Sequence, residues 1–93
     1  MNDFRIEFTS AALRELKVID AGALSPIGAT ISNLAIDIRP VGSRRLRTRR
    51  GYRIDVEDIR IIYTIDVNAL HIVIVSVRRH VAIPREEFST QLI

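Results

Sequence analysis

The chain opens on an alternation of apolar and polar residues. Phe4 to Phe8 reads Phe, Arg, Ile, Glu, Phe, a period of two that predicts a strand with one buried face. Thr9 stands where a capping hydroxyl belongs. Ala12, Leu13, Leu16 and Ile19 follow at helical spacing, with Arg14, Glu15 and Lys17 between them. This predicts an amphipathic helix ending near Gly22. Ser25 before Pro26 predicts a second helix start, with proline at the first helical position. Ile27, Ile31 and Leu34 line one face of this helix, Pro40 ends it, and Gly42 begins a turn.

From there the pattern is strand-like. A short strand is expected through Arg44 to Arg47. Tyr52, Ile54 and Val56 alternate with Arg53 and Asp55, and Glu57-Asp58 reads as a tight turn. Ile59 to Ile65 is rich in β-branched and aromatic residues, and Asp66 to Ala69 is a further turn. Leu70 to Val77 is almost continuously apolar, as in a central strand covered on both faces. Pro84 opens a polar tail, Arg85 to Ile93, with room for one or two helical turns. The order is β-α-α-β-β-β. Short connections make the last three strands an antiparallel meander. The helical hairpin must cover one face of it, giving a two-layer α+β domain with a mostly antiparallel sheet. Neither a repeat nor a linker divides residues 1–93, so one domain is expected.

Composition narrows the chemistry. The 93 residues are 47% apolar, enough for a core and against disorder. With no cysteine, disulfides and thiolate metal sites are excluded. The four glycines are scattered rather than gathered in a phosphate loop, and the histidines lack the spacing of a metal pair, so neither cofactor nor metal is expected. No apolar run reaches the roughly 18 residues of a membrane span. Met1 to Arg5 lacks a signal-peptide pattern. A cytoplasmic protein is the expectation.

The net charge is only +3, but its distribution is uneven. Thirteen of the 14 basic residues are arginines, and Arg44, Arg45, Arg47, Arg49, Arg50 and Arg53 fall within ten positions. Arginine is a permanently charged planar fork that grips phosphate at two points and stacks on bases. A local cluster produces a strong field even on a chain near neutrality. The segment therefore predicts a polyanion-binding surface, with RNA the foremost candidate. If Ile54 and Val56 face the helices, Arg53 faces away, and Arg60 shares that exposed face. Arg78 or Arg79 arrives on the next strand. Ion pairs to Asp55, Glu57 or Asp58 are the structural alternative for Arg60. His71 interrupts an apolar run and reads as a packed strand histidine. His80 follows Arg78-Arg79 where the chain leaves the sheet, a place where functional side chains concentrate.

An ordered set of segments carries a resemblance. Asp37-Ile38-Arg39-Pro40-Val41-Gly42-Ser43-Arg44-Arg45-Leu46 is followed by Gly51-Tyr52-Arg53-Ile54-Asp55-Val56 and Ile59-Arg60-Ile61-Ile62-Tyr63. Phe4 to Thr9 with Ala12 and Leu16 precedes them, and Val75-Ser76-Val77-Arg78-Arg79 closes the set. Over about residues 4 to 82 this resembles the RelE/ParE toxin superfamily, particularly its RelE branch. The resemblance implies the toxin of a type II toxin–antitoxin pair, a ribosome-dependent endoribonuclease that enters the 30S A site and cuts messenger RNA. The reaction would be attack of a ribose 2′-OH on the adjacent phosphate. Carried over by position, the reaction site comprises Arg53, Arg60 and Arg78, with Arg79 the one-residue register alternative. Arg44, Arg45, Arg47, Arg49 and Arg50 lead into it and hold RNA backbone, together with Arg79.

Two positions depart from the pattern. Asp55 stands where the family usually has a second basic residue. Ala82, Ile83 and Phe88 lie where many members carry a C-terminal tyrosine, so His80 is expected to take the proton-transfer role. The alternatives left open are a ParE-like inhibitor of DNA gyrase without nuclease chemistry and an inactivated relative that only binds its antitoxin. All three imply an acidic, partly disordered antitoxin as partner.

Overall fold

A computed structural model describes residues 3–80; the expected tail helix and the positions Ala82, Ile83 and Phe88 lie outside the described residues. The chain runs β1 (Arg5–Phe8), α1 (Ser10–Lys17), α2 (Ala21–Leu34), β2 (Arg44–Arg45), β3 (Tyr52–Val56), β4 (Ile59–Asp66) and β5 (His71–Arg79). The five strands form one sheet in the order β1-β5-β4-β3-β2. β1 pairs with β5 in parallel, and every other pairing is antiparallel. This is the expected two-layer α+β architecture.

The Thr9 hydroxyl caps α1 by accepting the Ala12 N–H, and it donates to the Val75 carbonyl at 3.0 Å. One side chain thus starts the helix and pins it to β5. The helical hairpin divides differently from expectation. α1 stops at Lys17, and α2 starts after Asp20 rather than at Ser25, with Pro26 inside the helix. Pro26 is the sixth residue of α2, so the carbonyl its ring crowds is that of Gly22, where the absence of a side chain lets the backbone adjust. Ser-Pro is the stronger local start signal, but the turn before it is helical too, with Ala23 packed against the core.

The core lies between this hairpin and one face of the sheet. Ile54, Ile59, Ile61, Tyr63, Ile72, Ile74 and Val77 point into it, facing Ala12, Ile27, Ile31 and Leu34. Each large aliphatic side chain buried in this way stabilises the fold by about 1.5–3 kcal/mol. Tyr63 is fully buried and donates its hydroxyl to the Ile38 carbonyl at 3.0 Å, which anchors the segment after α2. Of the expected Arg44 to Arg47 strand, only Arg44–Arg45 pairs.

β5 is interior to the sheet, but the helices cover only one of its faces, correcting the expectation of cover on both. Its register explains how one strand serves two purposes. Ile62 pairs with Ser76 while Tyr63 pairs with Ile74, leaving Val75 as the extra residue of a bulge. Pleat parity resets there. Ile72, Ile74 and Val77 therefore all reach the core, and Arg78, rather than Arg79, stands beside Arg60.

Candidate nucleic-acid interface

The sheet face away from the helices carries the basic side chains. Arg53 on β3 is in register with Ile62, Asp55 with Arg60, and Arg60 with Arg78. Arg53, Arg60 and Arg78 therefore share this face, as the alternation of Ile54 and Val56 implied.

A groove of about 380 Å³ opens here, lined by Arg49, Arg60, Arg78, Arg79 and His80, with Glu15 and Ser76 in its wall. His80 is fixed through its backbone, whose N–H donates to the Asp58 carbonyl at 2.6 Å. This places the imidazole at the mouth where β5 ends. Arg53 lies on the same face without lining the groove. Arg49, from the loop after β2, does line it. Arg44, Arg45, Arg47 and Arg50 are exposed and lie outside it.

Most of the strand arginines are paired. Arg60 meets Asp55 at two points, Nε to Oδ1 at 2.9 Å and Nη2 to Oδ2 at 3.2 Å. Arg53 lies 3.8 Å from the same carboxylate. Arg78 pairs with Glu15. Arg79 bridges Asp58 at 3.4 Å and Asp20 at 3.7 Å. The ion-pair alternative for Arg60 is thus realised, and it extends to its neighbours. The Arg60 guanidinium, followed by Arg53, holds the Asp55 carboxyl below its usual range.

Glu15 is the functional neighbour that sequence reasoning missed. Beyond Phe8, β1 no longer covers the edge of β5. There Glu15 accepts the Val77 N–H at 3.0 Å with one oxygen and Arg78 with the other. Burial pushes this carboxyl up, but the hydrogen bonds from Arg78 and Val77 outweigh it and hold it below the ordinary range. The contact joins residues 63 positions apart, so no local pattern announces it.

A second, larger groove of about 800 Å³ lies at the other end of the sheet, lined by Arg39, Arg45, Arg49, Arg50, Tyr52 and His71 among others. Arg39 donates from Nε to the Tyr52 hydroxyl at 3.3 Å, with its guanidinium 5.6 Å from the ring centre. Tyr52 in turn stacks on Tyr63 at 5.8 Å. The Arg39 hydrogen bond lowers the Tyr52 pKa. His71 is a strand residue beside Glu7, with Nε2 at 3.3 Å from Oε2, in keeping with its structural reading. Among the described residues no group of His, Asp and Glu could hold a metal ion, and no helix is long and apolar enough to cross a membrane.

Solved structures of toxins share this two-helix, five-stranded fold. The isolated E. coli RelE toxin superposes with a TM-score of 0.77 at 14% identity, covering 98% of this chain and 99% of that one. The toxin–antitoxin complex RelBE2 from Mycobacterium tuberculosis gives 0.74 at 20% identity, covering 84% and 99%. The archaeal RelE–RelB complex from Pyrococcus horikoshii OT3 gives 0.74 at 17%, covering 83% and 94%. No curated protein matches in sequence. The family model for the ParE toxin of the type II toxin–antitoxin system parDE matches residues 6–84, and the chain belongs to this RelE/ParE toxin superfamily.

Proposed function

We propose that the chain is a ribosome-dependent endoribonuclease, cutting messenger RNA in the A site. One observation carries this reading: Arg49, Arg60, Arg78, Arg79 and His80 converge on a single groove of the open sheet face. In the proposed reaction a ribose 2′-oxygen attacks the adjacent phosphorus and the bond to the 5′-oxygen breaks. The products are a 2′,3′-cyclic phosphate and a 5′-hydroxyl, so one proton leaves the nucleophile and one reaches the leaving group. Arginines stay protonated and suit the charge that builds on the phosphorane. Imidazole suits the proton transfers, which gives His80 that role. Arg53 stands beside the groove and reinforces the field.

The partner in this reading is an acidic antitoxin, supported by the RelB-bound state of the similar M. tuberculosis and P. horikoshii structures. An acidic reading frame beside the gene, whose product co-purifies with this chain, is the matching observation.

A second reading, a gyrase-directed toxin without nuclease chemistry, is favoured by the carboxylates that already occupy Arg60 and Arg78 and by the ParE family match. Primer extension on messenger from induced cells separates the two. Codon-phased cuts support cleavage in the ribosome. Intact messenger with altered plasmid supercoiling supports gyrase as the target. Absence of any growth effect supports an inactive antitoxin-binding relative.

A further inference from the structure

We infer that Glu15 is a positioning residue for the cleavage groove: it anchors the Arg78 guanidinium so that its terminal amino groups meet the reacting phosphate. The inference rests on the RNA-cleaving reading and deepens it. Three observations carry it.

The first is how the carboxylate itself is held. Its Oε1 accepts the Val77 N–H at 3.0 Å, and its Oε2 accepts Arg78 Nε. Val77 is a core residue of β5, so the acceptor facing Arg78 is fixed to the backbone beside it. The Thr9 hydroxyl, donating to the Val75 carbonyl at 3.0 Å, ties the other end of α1 to the same strand. The Glu15 side chain is 19% exposed, against 76% for Arg78. An arginine that exposed would otherwise sample many rotamers and lose that freedom only when RNA binds. The anchor removes it beforehand.

The second is what the anchor leaves free. At Arg60, Asp55 takes both Nε and Nη2. At Arg78, the hydrogen bond to Glu15 runs through Nε, which leaves the two terminal amino groups as donors for phosphate. Two carboxylate–arginine pairs of the same chemistry therefore act differently: Asp55 fills a fork, and Glu15 aims one.

The third is placement. Arg60 and Arg78 stand directly opposite each other on β4 and β5, where like charges repel. Asp55 draws Arg60 from β3, and Glu15 draws Arg78 from α1. Both arginines and Glu15 line the same groove.

The charge of Glu15 opposes its effect on orientation. A carboxylate weakens the attraction for RNA in the ground and transition states alike, whereas a fixed fork counts most where charge builds on the phosphorane. The two effects fall on different kinetic parameters.

The test is single-turnover cleavage on messenger-programmed ribosomes, titrated with toxin, for wild type, Glu15→Gln, Arg78→Ala and the double variant. Gln keeps an acceptor for the Val77 N–H, and melts fix a temperature at which all four are folded. In Glu15→Gln the saturating rate is expected to fall about tenfold, the scale of a misaligned group, while the half-saturating concentration stays the same or drops. In the Arg78→Ala background the same substitution lowers the rate no further, because Glu15 acts through Arg78. Heteronuclear NMR of the free protein is expected to show slowed exchange of the Arg78 Nε–H in wild type and its loss in Glu15→Gln. A folded Glu15→Gln variant that cuts at the wild-type rate overturns the inference. A faster rate also overturns it, making the carboxylate a block. A tenfold loss that persists without Arg78 overturns it as well, since Glu15 would then act by another route. In each of these cases wild type still cuts and the cleavage reading stands. Wild type that leaves the messenger intact overturns the cleavage reading, and this inference with it.

Discussion

Asp55 meets Arg60 across the β3–β4 pair with both carboxylate oxygens, at 2.9 and 3.2 Å, the two-point grip that a phosphate would take. In the resting chain a carboxylate therefore occupies the fork that the cleavage reading assigns to RNA, and it also partly neutralises Arg53. Asp55→Asn removes that competitor with little change of shape. Its expected effect is RNA binding about three- to tenfold tighter at low salt, shrinking as salt rises, since one charge at this exposed distance is largely screened. Thermal stability should fall by less than about 1 kcal/mol, because the pair is partly solvated. Anisotropy titrations at two salt concentrations check it. Weaker binding by the Asn variant would show that Asp55 orients Arg60 rather than blocking it.

The groove assigns different roles to arginines that are indistinguishable in sequence. Arg49 lines it, whereas Arg47, two residues earlier, does not. Arg49→Ala is expected to lower cleavage about tenfold or more, close to the effect of Arg60→Ala. Arg47→Ala should cost only a few-fold through loss of field. Growth arrest on induction and single-turnover cleavage on programmed ribosomes read this out. Equal effects at positions 47, 49 and 60 would reduce the whole segment to an undifferentiated patch.

Among the described residues His80 carries the one imidazole lining the groove, the group to which the cleavage reading assigns proton transfer. His80→Ala should lower cleavage by about 10²-fold, the usual scale of general acid–base catalysis, while RNA affinity changes little. A variant that still cuts at the wild-type rate sinks the assignment and directs the search for the proton donor elsewhere.

Glu15 gives the fold a predictable response to acid. Its carboxyl is held below the ordinary range when folded, so the native state favours the ionised form. That contribution is complete above the unfolded pKa of about 4.3 and is lost as pH falls through the lower folded value. Asp55 has the same sign. Glu15→Gln keeps an acceptor for the Val77 N–H but gives up the charge facing Arg78. The stability gap between wild type and Glu15→Gln should therefore be largest near pH 7 and narrow below about pH 4, as followed by circular dichroism melts. Glu15→Ala should cost about 1–2 kcal/mol more than Glu15→Gln at every pH, because it strands the Val77 donor. A gap independent of pH would detach Glu15 from the acid response.

The layer architecture, the Thr9 cap and the exposed face of β3 and β4 were legible because each is written in local alternation or in one capping residue. Three features were not. The bulge at Val75 lies inside an apolar run where every register looks alike, yet it decides that Arg78 faces Arg60. The start of α2 at Ala21 goes with the packing of Ala23 against the core, a tertiary contact that the Ser25-Pro26 signal does not contain. The tie between Glu15 and β5 exists because β1 is too short to cover its neighbour's edge, a fact about pairing across the fold. The candidate site shows the same division. Its strand arginines and the Asp55 partner of Arg60 followed from parity across one tight turn, whereas the entry of Arg49 and the carboxylate on Arg78 arise only where distant segments meet.

Gly51 controls how the arginine loop rejoins the sheet. Its φ is +133°, a conformation that side-chain-bearing residues rarely adopt. A Cβ there would meet the Tyr63 carbonyl oxygen at 3.1 Å and Leu46 Cδ1 at 3.2 Å. The Leu46 N–H donates to the Gly51 carbonyl at 2.9 Å, so the two residues close the loop that carries Arg47, Arg49 and Arg50. Gly51→Ala combines backbone strain with a contact against strand backbone that cannot move aside, and should destabilise the fold by about 2–3 kcal/mol. Any relief requires the loop to shift, which would draw Arg49 away from both grooves. RNA affinity should then fall even at temperatures where the variant remains folded. A Gly51→Ala variant that binds RNA and melts like wild type would show that the loop's closure does not set the position of Arg49.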